Sequence, residues 1–141
     1  MTLHEKGFRH IDGVDPSQGM LDVARTKGVY NNLICSYVGV EGSRLPFEDD
    51  TYDAVTLCGG MGQNMMPCAG VYEMIRVVKP GGYVVNLFRE EILLSVEEYM
   101  DRLEPLMESL ETQGKWKRLS RERYPEYQVD RVGIINVHQV C

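Results

Sequence analysis

Three short segments carry residue types and spacings that can do chemistry. The first is His10-Ile11-Asp12-Gly13-Val14-Asp15-Pro16-Ser17, which reads as a strand ending in an acidic residue and running into a helix. A carboxylate at the carboxyl end of a strand in an open α/β sheet can hold the two hydroxyls of a ribose. The same Asp15 can also serve only as an Asx-turn or cap residue before Pro16. The second segment runs from Gly42 through Ser43, Arg44, Leu45, Pro46 and Phe47 to an acidic turn, and then into Tyr52-Asp53-Ala54-Val55. It can set a backbone N–H and an apolar side chain against an adenine ring, or it can be a surface connection with a hydrophobic plug. The third is Cys58-Gly59-Gly60-Met61-Gly62-Gln63-Asn64. Glycines directly after a strand allow a backbone to approach a ligand closely, or simply make a strand-to-helix bend.

Other chemistries find less support. Gly60 and Gly62 would need a third glycine at Met65 to complete a dinucleotide fingerprint, and no Gly-rich Lys-Ser/Thr phosphate loop occurs. His4, His10 and His138 show no triad or ligand spacing, and Cys35, Cys58, Cys68 and Cys141 have no Cys-x-x-Cys pair. No metal site is expected, and the cysteines read as free thiols of a reducing compartment. Lys115–Arg123 holds five basic residues beside Trp116, but the chain carries a formal charge of −6. That balance argues against a nucleic-acid partner, so a solvated edge strand is expected there.

These segments need elements to position them. Phe8–Val14, Leu33–Val38, Tyr52–Cys58 and Tyr83–Phe88 read as strands. A helix capped by Ser17 runs to Lys27 and stops at Gly28. Val71, Met74, Ile75 and Val78 fall on one face of a second helix. Pro80-Gly81 suits a type II turn. Ser95 and Glu98 suggest a capping box opening a long helix to Gly114, kinked at Pro105. Strands near Lys117–Tyr124 and Val132–Val140, joined by the short Pro125–Arg131 connection, must be antiparallel neighbours. The alternation implies a mixed, doubly wound α/β sheet with a C-terminal antiparallel hairpin at one side. The 141 residues, 43% hydrophobic and 26% charged, suit one domain spanning residues 1–141. No apolar run approaches the length of a membrane span and no signal core opens the chain. A cytoplasmic protein is expected, with a nuclear location also open.

Taken in order, Gly13-Val14-Asp15-Pro16-Ser17 with Met20-Leu21 and Ala24-Arg25, then Arg44-Leu45-Pro46-Phe47, Tyr52-Asp53-Ala54-Val55 and Arg76-Val77-Val78-Lys79-Pro80-Gly81-Gly82, resemble the class I S-adenosylmethionine-dependent methyltransferases. Within them the chain is most similar to the Williams–Beuren region methyltransferase-like family. The resemblance implies a Rossmann-like fold and S-adenosylmethionine as cofactor. It implies that Asp15 binds the ribose, that Met20 packs on the adenine, that Ser43, Arg44 and Leu45 flank it, and that Cys58, Gly59 and Gly60 face the methionine moiety. Gln63, Asn64, Arg89 and Glu90 follow strand ends on the ligand side and are candidates for substrate contacts. No catalytic base is assigned, because methyl transfer chiefly needs alignment and exclusion of water.

One departure shapes the expectations. The family's first strand and its acidic-x-Gly-x-Gly-x-Gly loop do not precede Phe8 in these residues. The expectation is a truncated domain that binds the cofactor weakly or not at all, with a non-catalytic binding or structural module as the alternative. The strands flanking the gap would then pair directly, Phe8–Val14 with Tyr52–Cys58, or would be satisfied by a second chain in a homodimer.

Overall fold

A computed structural model of the chain describes residues 2–141. They divide into two compact units, one ending at Tyr37 and the other spanning Val38–Cys141. Each is built around its own sheet.

The first unit pairs strand β1 (Asp12–Asp15) in parallel with β2 (Asn32–Cys35) across helix α1 (Gln18–Thr26). Both strands are shorter than their apolar runs, because the ladder begins only where Asp12 meets Asn32. There Asp12 Oδ1 accepts bonds from both the backbone and side-chain nitrogens of Asn32, each at 3.0 Å. Ser17 caps α1 by accepting from the Met20 N–H at 3.3 Å, and Gly28 ends it with φ +66°, as its sequence predicts. Among the described hydrophobic residues of this unit, Leu21 alone is fully buried, while Phe8, Met20, Val23 and Tyr37 lie more than half exposed.

The second unit holds a four-stranded sheet in the order β3 (Tyr52–Cys58), β4 (Val78–Arg89), β6 (Arg131–Val140), β5 (Trp116–Gln128). β3 and β4 are parallel, and β6 is antiparallel to both β4 and β5. This is the mixed sheet with a C-terminal hairpin that the sequence implies. The direct pairing of the first strand with Tyr52–Cys58 is not formed: β1 and β3 belong to separate sheets, and β3 ends its own.

Helix α2 (Gly70–Val77) crosses between β3 and β4. It buries Val71, Met74 and Val77; Val78, expected on its face, already begins β4. Tyr52 pairs with Val78 and Ala54 with Tyr83, so Lys79–Gly82 loop out of the ladder. Pro80 fixes one φ of that loop and Gly81 takes the other at +85°.

The long helix expected after Ser95 is instead two short ones, α3 (Ile92–Ser95) and α4 (Leu103–Thr112). Ser95 does not cap. Its hydroxyl donates back to the Glu91 carbonyl at 2.8 Å, and Val96 turns extended. The intervening segment is pinned from outside: the Glu98 carboxylate accepts from the Cys68 N–H at 2.9 Å, and the Tyr99 hydroxyl is bonded to Gly62 and Met66. Pro105 then falls in the first turn of α4, where its missing N–H costs nothing. Those helices, α2 and one face of the sheet close over Phe88, Leu103, Ile134 and Trp116, all at most 2% exposed.

Candidate functional site

In the first unit, Asp15 ends β1 half-buried. Its Oδ1 accepts from the Ser17 backbone N–H at 2.8 Å, and no described residue bonds its Oδ2. The Asx-turn use of this carboxylate thus occupies one of its two oxygens. Met20 stands in the first turn of α1 with its side chain 61% exposed.

In the second unit, the Ser43–Leu45 segment is anchored by α2. Ser43 closes a turn through its N–H and hydroxyl onto the Val40 carbonyl. Leu45 is buried, and its N–H donates to Glu73 Oε2 at 3.0 Å. Arg76 grips the same stretch from one turn further along α2. It bonds Glu73 through Nε at 2.6 Å and Nη2 at 2.9 Å, the Phe47 carbonyl at 2.8 Å, the Leu45 carbonyl at 3.3 Å and Asp49 at 2.9 Å. Glu73 and Arg76 are only about 15% exposed, so the pair is little screened. The Arg76 guanidinium holds the Glu73 and Asp49 carboxyls below their usual range, and Glu73 in turn raises that of Arg76. Arg44 reaches the same Asp49 at 3.2 Å from an exposed position. Phe47 packs edge-on against Tyr52.

Cys58 ends β3 opposite Leu87 of β4, and Gly59 bonds the Leu87 carbonyl at 2.8 Å. Gly59 has φ +68°, a conformation that side chains resist. The loop beyond is fixed by the buried Tyr99 hydroxyl, which accepts from the Gly62 N–H at 3.0 Å and lies 2.6 Å from the Met66 carbonyl. Gln63 and Asn64 are exposed on that loop. Arg89 and Glu90 stand at the neighbouring end of β4. Arg89 pairs with Glu91 at 3.1 Å, and Glu90 accepts two bonds from Arg123 at 3.0 Å, which lowers its pKa. Adjacent parallel strands bring Cys58, Gly59, Gly60, Arg89 and Glu90 to one sheet end.

A residue that sequence reasoning passed over joins them. Tyr127, on β5, has the Cys58 thiol as a neighbour and is made less acidic by burial and by that thiol. Its only local signal is a lone aromatic beyond Pro125, which says nothing about where the ring points. Among the described residues no group of three or more His, Cys, Asp or Glu could hold a metal ion, and no helix is long and apolar enough to cross a membrane.

Comparison with known proteins bears on this geometry. Residues 1–86 match the family described as "Methyltransferase domain". Human methyltransferase-like protein 27 is 36% identical over 117 residues, covering 83% of this chain and 46% of that protein. Demethylmenaquinone methyltransferase of Clavibacter sepedonicus is 38% identical over 76 residues, 54% of this chain and 31% of that protein. The chain thus spans less than half the length of these relatives. Among solved structures, a SAM-dependent methyltransferase from Methanosarcina mazei superposes with a TM-score of 0.65 at 15% identity, over 98% of this chain and 84% of that one.

Proposed function

The chain belongs to the class I S-adenosylmethionine-dependent methyltransferase family, and on that premise we propose that it holds S-adenosylmethionine for transfer of its methyl group to an acceptor. Asp15 Oδ2 takes the ribose hydroxyls, and Met20 lies on the adenine. Ser43 and Arg44 flank that ring, and Leu45 fixes their backbone. Cys58, Gly59 and Gly60 receive the methionine end. Gln63, Asn64, Arg89 and Glu90 border the acceptor.

The observation that carries the reading is the split use of Asp15. One oxygen completes the turn into α1 and the other faces no described partner. A carboxylate needed only for the turn could equally be Asn or Ser.

The chemistry asks little of side chains. Bound S-adenosylmethionine would supply an electrophilic methyl, open to in-line attack by the acceptor, with sulfur as the group that keeps the C–S electron pair. Alignment and exclusion of water supply most of the rate. No residue is assigned as a base.

The proposal includes weak retention of the cofactor by these 141 residues alone. They contain no Gly-x-Gly-x-Gly loop, the backbone element that lets a chain approach such a ligand most closely. A dissociation constant of about 1 mM, equivalent to about 4 kcal/mol, is expected. An NMR titration with S-adenosylmethionine tests this. A value near about 1 µM would refute the weakness, and no binding at all would refute the cofactor reading.

A further inference from the structure

Tyr127 is held in place by three independent features. The first is a bulge. Tyr124 pairs with Gly133 and Gln128 with Arg131, so three residues of β5 face the single Val132 of β6. Such bulges re-aim side chains and are frequent beside active sites. Pro125, inside the bulge, has no N–H to leave unpaired.

The second feature is space made at both ends of the side chain. A Cβ on Gly133 would meet the Tyr127 Cβ and Cγ at 2.9 Å. A Cβ on Gly59 would meet the Tyr127 hydroxyl at 3.0 Å. Gly133 has no positive φ, so its backbone does not call for glycine; the tyrosine lying over it does. The third feature is the neighbouring Cys58 thiol at the end of β3, which with burial makes the Tyr127 hydroxyl less acidic.

Building on the cofactor reading above, we infer that Tyr127 is an acceptor-orienting residue: its hydroxyl, set at Cys58 and Gly59, accepts a hydrogen bond from a methyl acceptor whose nucleophilic atom is a protic nitrogen or oxygen. That bond turns the acceptor's lone pair toward the sulfonium methyl. The methyl carbon then bonds to the nitrogen or oxygen, the sulfur keeps the C–S pair as a neutral thioether, and the acceptor's proton passes to solvent water. Tyr127 keeps its own proton throughout, because burial and the Cys58 neighbour both oppose its ionisation.

Two ligands separate this role from general cofactor binding. Sinefungin carries an ammonium-bearing carbon where S-adenosylmethionine has its methylsulfonium, so it presents N–H donors where an acceptor would. S-adenosylhomocysteine presents nothing there. In NMR titrations of the wild type and Tyr127→Phe, the substitution weakens sinefungin about tenfold, as loss of a hydrogen bond to a charged group requires. It changes S-adenosylhomocysteine less than about twofold. Equal losses for both ligands, or none for either, would overturn the role of Tyr127 while leaving the cofactor reading intact. Failure of either ligand to bind the wild type would instead overturn the cofactor reading, and the inference with it.

Discussion

The Leu45 backbone N–H donates to the Glu73 carboxylate at 3.0 Å, and Arg76 holds that carboxylate with two bonds of its own. The segment expected beside adenine is thereby fixed to α2 by charge-assisted bonds. Removing the guanidinium would leave a part-buried Glu73 carboxylate and the Phe47 and Leu45 carbonyls short of donors. Arg76→Gln should destabilise the fold by about 2 kcal/mol and speed amide exchange at Leu45, Asp50 and Thr51 before the rest of the second unit. Lysine, a point charge without the planar fork, should recover only part of this. Hydrogen exchange read residue by residue checks it, and uniform acceleration across β4 and β6 would contradict local clamping.

Asp15→Asn separates the two uses of that side chain. The Asn carbonyl oxygen can still accept from Ser17, so stability should stay within about 0.5 kcal/mol. The second oxygen becomes an NH2 group that cannot accept from a ribose hydroxyl, so affinity for S-adenosylmethionine should fall about tenfold. Chemical denaturation and an NMR titration on one preparation decide the matter. Unchanged affinity would reduce Asp15 to a turn residue.

Burial drives the His138 pKa down to about 4, and the ring stacks on Trp116 with centroids 3.8 Å apart. The unfolded chain takes up this proton near pH 6.5 and the folded one only near 4. The stabilisation is therefore complete above about pH 6.5 and is lost as pH falls toward 4. The full span corresponds to at most about 3 kcal/mol. Urea unfolding at pH 7 and pH 5 should show a loss in the wild type that His138→Asn lacks. The Glu73, Asp49 and Glu90 carboxyls, held below their usual range, add their own losses only at lower pH. An identical loss in wild type and variant would contradict the assignment to His138.

Strand β3 ends the four-stranded sheet, and its second edge has no ladder partner among the described residues. The first unit exposes Phe8, Met20, Val23 and Tyr37. Open edges and apolar surface both favour association, so we propose a homodimer. Size-exclusion chromatography with light scattering should give twice the chain mass. A monomer persisting at high concentration would contradict it.

What the sequence made legible depended on how local the cause was. Tyr52–Cys58 forms as read, because an acidic turn and a glycine pair bound a short apolar run at its two ends. Gly28, Gly81 and Gly114 mark their turns with positive φ, since that preference belongs to glycine itself. The break between α3 and α4 was not legible. Helical spacing runs straight through Val96–Met100, and the segment is pulled out of register by Glu98 and Tyr99 bonding residues some thirty positions away. Tyr127 was illegible for a related reason: the bulge that holds it is defined by pairing with β6, and the space around its ring by Gly59 and Gly133. Asp15, Met20, Ser43 and Cys58 were legible only as an ordered set, each being ambiguous alone.

The central claim, that this chain presents a methyltransferase cofactor site, is tested most directly by mapping S-adenosylmethionine onto its backbone amides by NMR. The account predicts saturable shifts at Asp15, Ser17 and Met20, at Ser43–Leu45 and at Cys58–Gly60, with a dissociation constant of about 1 mM. Shifts confined to other surfaces, or no shifts at saturating ligand, would contradict it.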